Sequence, residues 1–117
     1  MLTSSLRTLL PWTLVLAAFI GCGSDGVGSG GSLVGGSCID NYDCEGQCLG
    51  GGDFPGGTCS VSCRDDRDCP EGSFCIDKKG GVCLLPCGSV RDCRPGYDCD
   101  DKDNKGISGK TFVCIND

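Results

Sequence analysis

The stretch CRDDRDCPEGSFCIDKKGGVC, residues 63–83, contains four cysteines separated by five, five and seven residues. Two related stretches, residues 38–59 and residues 87–114, also begin and end with cysteine. In all three, five residues separate the first two cysteines, and three residues link one stretch to the next. A repeat of about 25 residues predicts three copies of one structural unit, called here unit 1 (38–59), unit 2 (63–83) and unit 3 (87–114).

The density of cysteines indicates the fold class. Residues 38–117 hold 12 of the 13 cysteines and only five aromatic residues, so little apolar surface is available for burial. Cross-links must then supply stability, each contributing about 2–4 kcal/mol by restricting the unfolded chain. The sequence predicts a small disulfide-rich fold of three tandem four-cysteine units with short β-hairpins, loops and little helix.

An aspartate precedes the second cysteine of each unit, and a glycine follows that cysteine by two or three positions. Aspartate accepts backbone N–H bonds in tight turns, and glycine supplies positive φ. We therefore expect a turn here in each unit rather than a charged catalytic or binding site. The aspartates are Asp43, Asp68 and Asp92, and the glycines are Gly46, Gly72 and Gly96.

The segments between the third and fourth cysteines are residues 49–58, 76–82 and 100–113. Each is predicted to project as a hairpin or loop from a cross-linked base. The third is predicted to be a β-hairpin that turns at residues 104–106 and returns along a strand at residues 111–115.

Four cysteines allow three connectivities, and the residues alone do not choose among them. The spacing resembles that of colipase-like domains, of the N-terminal cysteine-rich region of Dickkopf proteins and of cysteine-rich repeats in soil-bacterial lipoproteins. The colipase-like resemblance implies bridges from the first cysteine to the third and from the second to the fourth. The implied pairs are Cys38–Cys48, Cys44–Cys59, Cys63–Cys75, Cys69–Cys83, Cys87–Cys99 and Cys93–Cys114.

The N-terminal residues are typical of a secretory signal peptide. The apolar run at residues 9–20 is too short for a transmembrane helix but suits the core of a signal peptide at residues 1–21. FIGC at residues 19–22 resembles the lipobox of bacterial lipoproteins, with Phe19 where leucine is usual. The resemblance implies that Cys22 receives a diacylglyceryl thioether and an amide-linked acyl chain such as palmitate, a stable membrane anchor.

Gly23 follows Cys22 in place of an inner-membrane retention signal, so the lipoprotein resemblance implies the outer membrane or the cell surface. The alternative is a conventional cleavage after Gly23, which removes Cys22 and yields a secreted protein. Residues 22–37 comprise the lipidated cysteine and a run of mostly glycine and serine. This run is expected to form a flexible tether that does not pack and spans about 20 Å.

Composition argues against several kinds of site. Removal of residues 1–21 deletes one of ten basic residues, Arg7, and none of the 16 acidic ones, leaving a net charge near −7. That balance argues against nucleic acid. Histidine is absent and no C-x2-C occurs, so zinc is not expected. We expect no cofactor and no catalysis, because the cysteines are structural and no nucleophile–base pattern is present.

Calcium is the better motivated metal, because four aspartates crowd one segment of unit 3. The segment at residues 101–106 begins like an EF-hand loop. Lys105 and Phe112 then occupy positions that need oxygen ligands, so an acidic solvated loop is preferred. The four aspartates are Asp98, Asp100, Asp101 and Asp103.

The predicted function is that of a membrane-anchored extracellular or periplasmic lipoprotein with a non-catalytic module that binds an unidentified extracellular protein or serves the envelope structurally. Phe54 and Pro55 are the candidate exposed contact, with burial under their own hairpin as the alternative. The competing class is a secreted protease inhibitor or toxin-like effector released after cleavage near Gly23. In an inhibitor, residues 84–86 (LLP) are the candidate bait loop, and a spacer between units is the preferred role.

Overall fold

The computed structural model describes residues 26–117. The chain forms three successive units, each consisting of a short 3-10 turn followed by an antiparallel hairpin. This arrangement confirms the predicted small disulfide-rich fold of tandem units. The 3-10 turns are Asn41–Asp43, Asp66–Asp68 and Val90–Asp92, and the strands are β1 (Gln47–Leu49), β2 (Thr58–Ser60), β3 (Phe74–Ile76), β4 (Val82–Leu84), β5 (Asp98–Asp103) and β6 (Lys110–Ile115).

Two disulfides tie the loop that precedes each hairpin to the hairpin itself. The third and fourth cysteines of a unit lie opposite each other on the two strands, as Cys48 and Cys59 do in unit 1. They do not bond to each other, and each forms its disulfide with a cysteine of the preceding loop. The 3-10 turn is thereby held against the hairpin. The six bonds are the pairs that the colipase-like resemblance implies: Cys38–Cys48, Cys44–Cys59, Cys63–Cys75, Cys69–Cys83, Cys87–Cys99 and Cys93–Cys114.

The third hairpin is the longest. β5 and β6 pair over six residues each, from Asp98 opposite Ile115 to Asp103 opposite Lys110. The predicted hairpin is thus confirmed, with the chain reversing at residues 104–109. Its end lies against unit 2, because the Lys105 N–H donates to the Cys75 carbonyl at 3.0 Å.

The glycine- and serine-rich segment before unit 1 packs on the module. Val34 is fully buried, the Gly35 N–H donates to the Cys59 carbonyl at 2.9 Å, and the Cys59 N–H donates to the Gly36 carbonyl at 2.8 Å. The expectation of a tether that does not pack is therefore wrong for residues 26–37. Residues 22–25 lie outside the described residues.

The same backbone bond recurs before the other two units. The residue two positions before the first cysteine accepts from the fourth cysteine: Val61 from Cys83 N–H at 3.1 Å, and Leu85 from Cys114 N–H at 3.0 Å. Gly36 occupies the equivalent place before unit 1. The module thus begins before Cys38, and the segment ahead of unit 1 corresponds to the links between units.

The three units contribute side chains to a common apolar core and do not each form a separate one. Side chains from all three units form a single buried cluster, and a second cluster joins Val34 to three cysteines of unit 2. Burial across units explains how a chain with few large side chains forms a core at all. The first cluster consists of Leu49, Phe54, Ile76, Val82, Leu84, Tyr97, Val113 and Ile115.

Candidate contact surfaces

The aspartate before each second cysteine closes its own loop. Its carboxylate accepts the N–H of the residue four positions earlier, at 2.8 Å for Asp43 and Asp68 and 2.7 Å for Asp92. The predicted turn role is confirmed for all three aspartates. The predicted positive φ is present at Gly72 and Gly96 but not at Gly46. Unit 1 has two residues fewer between its second and third cysteines than the other units. Gly46 instead lets the backbone lie close to Ser60, since an added Cβ would lie 2.6 Å from the Ser60 carbonyl.

A second polar side chain caps each 3-10 turn. Asp40, Asp65 and Ser89 each accept the N–H two residues later. Sequence reasoning missed these caps. The signal was present, because an aspartate or serine stands three residues before each loop-closing aspartate, as in a capping box. In unit 3, the N–H groups of Gly88 and then Ser89 hold the pKa of Asp92 below its usual value.

The four aspartates of unit 3 lie along β5 rather than around a loop. Successive strand residues point to opposite faces, so Asp100 and Asp101 diverge. Asp103 accepts from Lys110 Nζ at 2.8 Å. Within residues 26–117, only cysteines form groups of three or more ligand-type side chains with ligand atoms within 4.8 Å of one another, and all of those sulfur atoms belong to disulfides.

Phe54 is not an exposed contact. Its side chain is 1 % exposed, so the prediction of an exposed Phe54 is wrong; the side chain is buried in the core that all three units share and not under its own hairpin alone. Pro55 is half-buried, and its carbonyl accepts from the Tyr97 hydroxyl at 2.8 Å. The glycines around Phe54, three of which have positive φ, let the loop at residues 49–58 fold back. This loop therefore does not project from the cross-linked base.

Residues 84–86 are structural. The Leu84 side chain is buried in the shared core. The Leu85 carbonyl accepts from Cys114 N–H, and Pro86 forms a β-bridge with Val113. A protease-binding loop must offer its backbone to the enzyme, whereas this backbone is already paired within the chain. The spacer role therefore describes the segment better than the bait role.

The apolar side chains most exposed in the described part of the chain lie in the first loop of unit 1. Ile39 is 93 % exposed and Tyr42 is 97 % exposed, although the loop that bears them is fixed by the Cys38–Cys48 bridge and by Asp43. We call residues 39–43 the unit 1 loop. Aromatic and branched apolar side chains on a rigid support are typical of contact sites.

Comparison among units shows that these two side chains are specific to unit 1. One residue after the first cysteine, units 2 and 3 carry Arg64 and Gly88 where unit 1 has Ile39. Four residues after it, they carry Arg67 and Arg91 where unit 1 has Tyr42. The turn therefore does not require apolar residues at these positions. Alignment of the units on their first cysteines would have found this difference, and our sequence reasoning did not use it.

No model of a known protein family matches the chain, and neither a curated protein nor a solved structure is significantly similar to it. Residues 26–117 contain no helix with the length and apolar character needed to cross a bilayer. Cys22, the predicted lipidation site, lies outside the described residues.

Proposed function

We propose that the chain is a non-catalytic lipoprotein, anchored through acylated Cys22 at the outer membrane or cell surface, whose disulfide-rich module binds another extracytoplasmic protein. The exposed pair Ile39 and Tyr42 is the observation that supports binding. A tight turn with the same caps occurs in units 2 and 3 with charged or small residues at these positions. Two nearly fully exposed apolar side chains bury almost no surface within the fold, and contact with a partner would bury it.

A packed N-terminal segment would keep an anchor at Cys22 close to this surface. The Glu45 N–H donates to the Ser32 carbonyl at 2.8 Å, and the Ser32 hydroxyl donates to the Glu45 carboxylate at 2.8 Å, so the segment is fixed to unit 1. From Cys22 to Gly26 the chain reaches at most about 14 Å. An anchor at Cys22 would therefore hold the unit 1 loop near the membrane, where it meets membrane-associated partners.

Fatty-acid incorporation tests the anchor. Cells that express the full chain are grown with labelled palmitate, beside cells that express Cys22→Ala. We expect label in the wild-type chain and none in the variant, since Cys22 provides both the thiol and the amine that are acylated. An unlabelled wild-type chain recovered from the medium would overturn the anchor and favour the secreted alternative.

Site-specific photo-crosslinking tests the binding surface. A benzophenone amino acid is placed at Tyr42 and, as a matched control, at Arg67, which holds the same place in unit 2. We expect adducts with a membrane or surface protein from position 42, few from position 67, and loss of co-purification in Ile39→Ser/Tyr42→Ser. Equal adducts from both positions, or undiminished co-purification of the double variant, would refute this surface.

A further inference from the structure

Apart from Asp103, whose carbonyl accepts from Asp77 N–H at 2.9 Å, the outer edge of β5 presents backbone groups that no other part of residues 26–117 uses. Residues along a strand direct their N–H and C=O groups alternately to the two sides. Asn104 N–H donates to the carbonyl of Gly109, the residue opposite it. By alternation, the backbone groups of Asp98, Asp100 and Lys102 also point toward β6 and bond to it. Cys99 and Asp101 therefore direct their backbone groups away from β6.

In unit 2 the equivalent edge is occupied. The Cys75 carbonyl accepts from Lys105 N–H at 3.0 Å, and the Asp77 N–H donates to the Asp103 carbonyl at 2.9 Å. The hairpin end of unit 3 thus adds to β3 as a short extra strand. In unit 3 the same two groups, the Cys99 carbonyl and the Asp101 N–H, have no hydrogen-bond partner in the described part of the chain.

A side-chain cap is also missing from this edge. In units 1 and 2 the N–H of the third cysteine donates at 2.8 Å to a side-chain oxygen three residues after the first cysteine, Asn41 Oδ1 or Asp66 Oδ1. Unit 3 has Val90 at that position, with a side chain that cannot accept. The Cys99 N–H is consequently left without a cap, and Val90, 55 % exposed, adds apolar surface beside the edge.

Charge decides which kind of strand fits the edge. Asp98 and Asp101 are exposed along β5, and Asp103, also exposed, is paired with Lys110. Like charges opposite each other destabilise a strand pair, so a second copy of β5 is disfavoured. Lysine or arginine side chains opposite these carboxylates would stabilise the pair. The edge thus discriminates against self-association and favours a basic segment.

We propose that the outer edge of β5 binds an extended, lysine- or arginine-rich segment of a partner protein by strand addition. The Cys99 and Asp101 backbone groups form the ladder, and the neighbouring aspartates select positive side chains. The proposal names a class of partner for the binding function proposed above and rests on that function. It uses a different surface from the unit 1 loop and does not require acylation.

Titration of the oxidised full chain with an eight-residue peptide of alternating lysine and valine tests the proposal. Amide chemical shifts from ¹⁵N-labelled protein report the site, and a peptide with glutamate in place of lysine is the control. We expect the largest shifts at Cys99 and Asp101, slower exchange of the Asp101 amide, and no response to the glutamate peptide. Shifts centred elsewhere, or equal binding of both peptides, would overturn the proposal.

Two substitutions separate the backbone from the charge. Asp101→Pro removes an N–H that points away from β6, a position at which an edge strand tolerates proline, and we expect at least tenfold weaker binding. Asp101→Asn keeps the N–H and removes one charge, so we expect binding about two- to fivefold weaker with less dependence on salt. Equal affinities of Asp101→Pro and the wild type would refute strand addition.

A third variant covers the case in which Asp101→Pro does not fold. Val90→Asn supplies the acceptor that Asn41 provides in unit 1, and it should cap the Cys99 N–H and weaken peptide binding several-fold. Unchanged peptide binding by Val90→Asn would count against the outer edge of β5 as the binding site. If the peptide fails to bind while position 42 still crosslinks to a partner, the β5 proposal fails and the proposed binding function stands.

Discussion

At the scale of single residues, one carboxylate per unit fixes the path of the chain between two cystines. Asp92 shows the chemistry most fully, since its Oδ2 accepts from both Gly88 N–H at 2.7 Å and Ser89 N–H at 3.1 Å. Both bonds favour the ionised form, which is why the pKa of Asp92 lies below its usual value. The acid is therefore part of the fold, and its titration is linked to stability.

Asp92→Asn should remove the part of the pH dependence of stability that comes from the Asp92 carboxyl. A carboxyl whose pKa is lower in the folded state stabilises the fold above its unfolded pKa of about 3.9, and that stabilisation is lost as pH falls through the folded pKa. Asparagine keeps an acceptor but does not titrate. We expect the difference in melting temperature between wild type and variant to be constant above about pH 5 and to shrink below about pH 4. Thermal unfolding with intact disulfides measures it, and a difference that grows on acidification would contradict the assignment.

At the scale of elements, cysteine spacing predicted the three hairpins, whereas composition misled us about the segment before them. Glycine is common in flexible linkers because it restricts the backbone least, and the same lack of a Cβ permits backbone-to-backbone packing. An added Cβ at Gly31 would lie 2.1 Å from the Gly26 carbonyl, and one at Gly35 would lie 2.2 Å from the Gly28 carbonyl. A single sequence does not distinguish these two uses of glycine.

Gly31→Ala, with Gly30→Ala as its matched control, tests whether this segment is packed. A Cβ at Gly31 meets backbone, whereas one at Gly30 meets nothing within 4 Å. We expect Gly31→Ala to lower the free energy of local opening by about 1–3 kcal/mol and Gly30→Ala to change it little. Amide exchange at Gly35 and Cys59, whose N–H groups bond across this contact, reports the opening. Equal and low protection of these two amides from exchange in both variants would indicate that the segment before unit 1 is a flexible tether.

At the scale of the whole molecule, the three units act as one body because polar groups as well as apolar ones connect them. Lys78 of unit 2 pairs with Asp53 of unit 1 at 3.0 Å and with Asp117 at 3.3 Å, and Lys102 of unit 3 also pairs with Asp117. The hydrogen bond to Asp53, followed by that to Asp117, raises the pKa of Lys78. No repeat pattern predicts such contacts, since they join positions that differ from unit to unit.

Units 1 and 3 meet at a buried hydroxyl. The Tyr97 hydroxyl lies 2.6 Å from Thr58 Oγ1 and donates to the Pro55 carbonyl at 2.8 Å, and Arg94 Nη2 donates to Tyr97 and Thr58 at 2.9 and 2.8 Å. Tyr97 and Thr58 are each 5 % exposed. The Arg94 guanidinium also lies 4.7 Å from the centre of the Tyr97 ring, which holds the cation over the junction.

Tyr97→Phe should therefore weaken the contact between units without disturbing the cystines. The ring still fills the shared core, but loss of the hydroxyl leaves the Pro55 carbonyl and the Thr58 hydroxyl short of a partner, which costs about 1–3 kcal/mol of unfolding free energy. Thr58→Val removes the other side of the pair, and in the double variant the loss should be smaller than the sum of the single losses, because neither unit then holds an unmatched hydroxyl. Denaturant unfolding of the four oxidised proteins measures this coupling. Additive losses would show that the two hydroxyls stabilise the fold independently and not as a pair across the junction between units 1 and 3.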